Sequence, residues 1–235
     1  MSFAYFLSFE NAPSRSIGLP EPALPALRTI LAGVAGLERA LIFTPETTTD
    51  RFIDDGTPPP LSLQLYFAEL PDLEAAVSAG GPLEPLVGNG LLGELGDVAI
   101  SQQAFYVRPF PVDDPVVRPG PSGLPCSFVV HYAGPAADLN LWLSNYIASH
   151  PPVMRQFPGI RSIEILSRVD WCGGLPWPRA NHMQRNRVMF DSAEALTAAL
   201  ASPARLQLRQ DFDKFPPYEG GNFHYPMATE EVLPG

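Results

Sequence analysis

An α+β fold made of two successive βαββαβ units is what this sequence predicts, and three observations predict it. The 235-residue chain matches itself at one offset, 123 residues. Segments with strand alternation and segments with helical spacing follow one another in the same order in both copies. A stretch rich in proline and glycine separates the copies.

The offset places Gly36 on Gly159, Ile42 on Ile165, Phe67 on Phe190, Leu73 on Leu196, and Ala75 and Ala76 on Ala198 and Ala199. It also superposes elements of one type and length, without insertion, from residue 3 to about residue 80.

Each copy opens on an alternating strand, with Phe3, Tyr5, Leu7 and Phe9 answered by Phe128, Val130 and Tyr132, the period of a strand with one buried face. A helix follows, over about 21–35 and about 138–157; in the second, Leu139, Leu143, Tyr146, Ile147 and Met154 recur at helical spacing. Gly36 and Gly159 stand where a left-handed residue ends a helix. Short strands come next, LERALIF and IRSIEIL, then a loop of about fifteen residues, then LSLQLYF and NRVMF. The second helices, PDLEAAVSA and SAEALTAALAS, are rich in alanine and leucine, with Asp191 or Ser192 as the cap in copy two. Final strands are expected around 97–107 and 221–227.

The order is that of a ferredoxin-like unit. The expected organisation is a first repeat over 1–110, a linker over 111–125 and a second repeat over 126–235. A four-stranded sheet covered by helices on one side leaves its other face open, so the two sheets are expected to pair as a pseudo-dimer of the dimeric α/β-barrel type.

Hydrophobic residues make up 46% and charged residues 17%, a globular composition, and no apolar run reaches the ~18 residues of a membrane span. The amino terminus lacks a basic segment ahead of its apolar residues, which reads as a cytoplasmic protein. Cys126 and Cys172 then read as reduced thiols. A net charge of −10 without a basic cluster argues against nucleic acid and against anionic membranes, both of which need cations to displace counterions. A small hydrophobic or aromatic molecule is the partner expected, with a homodimer through the outer helices as a further option.

The second copy carries a histidine followed by Pro and an apolar residue and then Pro-Gly before a strand, here His150, Pro152, Pro158 and Gly159. Further on, an aspartate follows an aromatic and a helix ends in Ala-Ser-Pro, here Phe190, Asp191, Ala201, Ser202 and Pro203. In these features it resembles the EthD family of dimeric α+β barrel proteins. The resemblance implies a barrel and at most one histidine site of this type. The first copy has Leu27 at the position of His150 and is a degenerate repeat in this respect.

Strand alternation separates the faces in copy two. Val130, Ile163, Ile165, Val188 and Phe190 should face the helices, and His131, Ser162, Glu164, Arg187 and Met189 the barrel interior, with Ser8, Gln64 and Tyr66 joining them from copy one. With strand three between strands one and two, Arg187 should lie between His131 and Glu164, a cluster able to shift pKa values and move a proton. A buried ion pair with a hydrogen-bonded histidine is the structural alternative. His150, one turn after Tyr146 near a helix end, is the strongest single catalytic candidate, expected to titrate near neutrality. Asp211 and Asp213 could orient a histidine or hold water, or be solvated.

The catalytic candidates are therefore His150, His131, Glu164 and Arg187. The ligand-binding candidates are Gln64, Tyr66, Tyr146, Met189, Trp171 and Trp177, the two tryptophans on a loop able to close over an apolar ligand. His131, His150, His182 and His224 show no metal-site spacing. No tightly bound cofactor is predicted, although haem needs only one histidine. The expected activity is cofactor-independent acid–base chemistry, as in an isomerase, lyase or monooxygenase, on a hydrophobic or aromatic carbonyl compound. The alternatives are a carrier of such molecules and, more remotely, a haem protein.

Overall fold

The computed structural model describes residues 2–10, 23–53, 55–87, 98–120 and 123–235. Its first half contains β1 (Ser2–Glu10), α1 (Ala23–Ala32), β2 (Leu37–Pro45), β3 (Leu61–Phe67), α2 (Leu70–Ala76) and β4 (Ala99–Phe110). Its second half contains β5 (Cys126–Tyr132), α3 (Leu139–Met154), β6 (Ile160–Arg168), β7 (Gln184–Phe190), α4 (Ala193–Leu200), α5 (Pro203–Phe212) and β8 (Asn222–Val232). No described helix is long and apolar enough to cross a membrane.

The eight strands close one antiparallel barrel in the order β1-β3-β2-β8-β5-β7-β6-β4. Within each half the order is therefore the same, β4-β1-β3-β2 and β8-β5-β7-β6. The seams between halves are β2 with β8, where Ala40 faces Val232, and β4 with β6, where Phe105 faces Arg168. Closure leaves no sheet edge for another chain to extend.

Alternation along the strands sorts side chains into an outer and an inner set. Outside, Tyr5, Leu7, Leu63 and Leu65 pack under the helices of the first half with Leu27, Leu31 and Leu73. Val130, Ile163, Ile165, Val188 and Phe190 do so in the second half with Trp142, Tyr146 and Leu196, the face the sequence assigns them. Inside, Phe6, Phe43, Tyr66, Phe105, Val129 and Leu166 fill the barrel.

Helix ends follow local chemistry. Gly36 and Gly159 both take φ of 76°, the left-handed region that glycine enters without steric cost, but they do not end the helices as expected: α1 stops at Ala32 and α3 at Met154, and the glycines make the turns into β2 and β6. A side chain at Gly36 would also press on Asp72, 3.0 Å from the added carbon. Of the two candidate caps it is Ser192 that accepts a bond from the Ala195 amide. The sequence reading has a single helix here; the structure has two. Pro203 has no amide hydrogen and holds Ser202 in extended backbone, so α4 stops and α5 starts afresh with Pro203 in its first turn.

Candidate functional site

The barrel interior does not have the arrangement expected from the sequence. Arg187 lies opposite Val129 on one side and Glu164 on the other, whereas His131 lies opposite Arg185. The lateral register thus keeps His131 one inward position away from the Arg187–Glu164 pair. Glu164 receives Arg187 Nε at 3.1 Å, Arg39 at 2.9 Å and the Tyr66 hydroxyl at 2.5 Å, and Gln64 Nε2 reaches that hydroxyl at 2.6 Å. Burial by itself would raise the Glu164 carboxyl, but Arg187, Tyr66 and Arg39 outweigh it and hold it below the ordinary carboxylate range. Met189 contributes its sulfur to Arg187. These groups satisfy one another, as a structural ion pair does.

The two tryptophans also have other work. Trp171 is buried in the core of the first half, edge-on to Tyr5 with centroids 5.5 Å apart, and Trp177 packs on the same cluster. They anchor the 169–183 loop and do not cover the His150 side of the molecule. Gly173 and Gly174 allow the close approach: an added carbon would fall 2.3 Å from the Trp171 ring and 2.5 Å from the Ala79 amide.

His150 lies within α3, and its ring packs against Tyr146 and Phe215 at 4.9 and 5.0 Å. Its Nδ1 is 2.7 Å from Asp211 Oδ2 on α5. A carboxylate only accepts, so Nδ1 carries the proton and Nε2 keeps a free lone pair. Burial, offset in part by Asp211, brings the imidazole down to about 4. This corrects the expectation of titration near neutrality: the helix end is not what governs it, because the side chain is enclosed. Tyr146 lies behind His150, fully buried, with its hydroxyl accepting from Asn186 Nδ2 at 2.6 Å.

His150 stands between two spaces on the outer face of the second half. One is a cavity of about 340 Å³ whose lining includes Phe52, Asp55, Tyr132, Arg205 and His224. The other is a recess of about 40 Å³ against Phe128, Val130, Met154 and Val188. Polar and charged side chains dominate the lining of the cavity and apolar ones that of the recess, a common combination for a small-molecule site.

Sequence reasoning missed the groups that complete the cavity. His224, from β8, places Nδ1 2.8 Å from Asp55 Oδ2, and its amide donates to the same oxygen at 2.8 Å. Burial lowers its pKa, with Asp55 opposing. Arg205 and Asp50 form an ion pair at 2.8 Å, both side chains buried. Asp50, Phe52 and Asp55 belong to the β2–β3 loop of the first half, so one half closes the site of the other. Asp211, by contrast, was anticipated as a residue able to orient a histidine, and it does contact His150; the spacing Ala204, Leu208, Asp211 puts it on one face of α5. Among the described residues no group of three or more His, Cys, Asp or Glu side chains is placed to hold a metal ion.

No family model matches the chain, and no curated protein matches it. Solved structures do. An anthrone oxidase-like protein superposes with TM-score 0.63 at 14% identity, covering 100% of this chain and 93% of that one. A candidate monooxygenase from Fusobacterium nucleatum gives 0.57 at 6% identity, over 100% and 95%. One from Lactobacillus acidophilus gives 0.55 at 9%, over 100% and 97%. The chain shares their α+β barrel fold along its whole length.

Proposed function

We propose that this chain is a small-molecule enzyme in which the neutral imidazole of His150 removes a proton from an apolar, carbonyl-bearing aromatic substrate. The observation that carries the reading is the Asp211–His150 pair, with His150 in the wall of a cavity. Asp211 fixes the tautomer, and Nε2 is the basic atom left to the substrate. A base neutral down to about pH 4 is available at any physiological pH. The names of the fold neighbours, an anthrone oxidase-like protein and two candidate monooxygenases, support chemistry of this class.

The step is a proton transfer. A C–H bond conjugated with the carbonyl breaks, in an anthrone that of the ring methylene opposite it, Nε2 gains the proton, and the electron pair is delocalised through the ring to the carbonyl oxygen as an enolate. Return of the proton at another position completes an isomerisation. With dioxygen as co-reactant, an anthrone is oxidised to the anthraquinone and water is released. In this reading the second repeat is the EthD-like, catalytic one, and the first is a duplicated unit that has lost its histidine.

The test is anthrone in two assays, solvent deuterium uptake under argon and oxygen consumption in air. Wild-type protein should accelerate the exchange, and His150→Gln should lower the rate by about 10²- to 10⁴-fold, the ordinary worth of a positioned base. No acceleration by wild type, or an unchanged rate in the variant, rejects the proposal. Tight binding without exchange would identify a carrier, and a Soret band in the purified protein would identify a haem protein instead.

A further inference from the structure

Arg185 is an inward-facing residue of β7, two positions from Arg187, and the two arginines are treated very differently. Arg187 has Glu164; among the described residues no carboxylate pairs with Arg185, although it is only 2% exposed. Its guanidinium lies over the Phe6 ring at 4.0 Å and within 5.7 Å of Phe105. One terminal nitrogen is 3.3 Å from His182 Nδ1, and its Nε is buried without a partner. His131, opposite it in register, also has a buried Nδ1 without a partner. The His131 and His182 rings are 4.7 Å apart.

A buried cation needs a counter-charge, and ring faces replace only part of its lost hydration. Burial brings Arg185 down to about 9, so it remains charged at neutral pH; Glu10 and Tyr225 act on it only through space. Burial, then Arg185, keeps His131 far below its ordinary value, and burial takes His182 to about 3. Both imidazoles are therefore neutral, and each has one N–H to give.

We propose that this end of the barrel interior binds a small carboxylate, with Arg185 supplying the charge and His131 and His182 supplying hydrogen bonds. The planar guanidinium fork matches a carboxylate in two parallel bonds. Phe223 and Tyr225, whose rings lie 5.5 and 5.4 Å from that of His131, favour an aromatic acid. Phe223 is 39% exposed, so the group of rings reaches the surface. The site is on the opposite face of the sheet from His150 and does not depend on the proposed reaction.

Benzoate, acetate and inorganic phosphate are the probes, titrated by calorimetry into the full-length protein. Benzoate should bind saturably and tighter than the other two. Arg185→Met should weaken it about tenfold or more, as loss of a charge-assisted bond does, and should melt no lower than wild type, because an unpaired buried charge has gone. His150→Gln should bind benzoate as wild type does. In the wild-type protein the His131 and His182 imidazole resonances should move with the same binding curve, a readout that needs no variant. Absence of saturable binding, phosphate binding more tightly than benzoate, or unchanged affinity in Arg185→Met overturns the proposal.

Discussion

The two halves share a strand order and exchange their long loops, yet one is plugged and the other left open. The 169–183 loop of the second half crosses to the first, where Trp171 and Leu175 join a core that already contains Leu27, the residue that an offset of 123 aligns with His150. The 46–60 loop of the first half crosses to the second and brings carboxylates and a phenyl ring instead, Asp50, Asp55 and Phe52, around a cavity. One architecture thus yields a filled core and a candidate site, according to what the crossing loop delivers. Specialisation of this kind lets the filled core carry stability while the site keeps polar groups buried at some cost to it.

The largest effect expected from breaking the comparison is at the plug. Trp171→Ala removes an indole from a core and leaves Tyr5 and Arg179 without their ring partner. Large-to-small changes of this type cost about 3–5 kcal/mol. Chemical denaturation should show that loss, while the pH dependence of any His150-dependent reaction stays where it was. A displaced pH profile would mean that the two halves are coupled and that the loop does more than support.

The open half should instead fail in acid. In the unfolded chain a histidine titrates near its ordinary value, about 6.5; in the fold His150 is held down to about 4. Between those values the unfolded state binds more protons than the folded one, so stability is complete above about pH 6.5 and is lost as pH falls toward 4. At about 1.4 kcal/mol per pH unit, His150 alone accounts for roughly 3 kcal/mol over that window. Urea melts at stepwise pH check it: His150→Gln should flatten the slope, and an unchanged slope would show that other groups govern acid unfolding.

What the sequence made legible was whatever depends on local period. Strand alternation assigned Val188 outward and Arg187 inward, and the left-handed conformation of Gly36 and Gly159 could be read from residue type, although these glycines make the turns into β2 and β6 and the helices stop earlier, at Ala32 and Met154. The register of one strand against the next has no such signature. Whether Arg187 or Arg185 sits beside His131 depends on where β5 and β7 align, and an error of one inward position separates the expected cluster from the observed pair. The loop carboxylates were harder still, because Asp55 and His224 are brought together only by closure of the barrel. The tryptophans misled for a related reason: aromatic composition marks a loop as able to bury itself, without saying in which half.

The smallest expected effect is also the most discriminating about that exchange. Asp55 accepts both the His224 amide and Nδ1 and is itself partly exposed. Asp55→Asn keeps its shape and removes its charge, so the two bonds weaken and do not vanish, a cost of about 1–2 kcal/mol. Because burial and Asp55 pull His224 in opposite directions, losing the carboxylate should lower the His224 pKa further, which NMR titration of the imidazole reads directly. If the loop closes the cavity, the variant should raise KM for a turned-over substrate and leave kcat nearly unchanged, since His150 and Asp211 are untouched. A fall in kcat with constant KM would place Asp55 and His224 in the chemical step, and the first half would then contribute to the reaction as well as to the wall of the site.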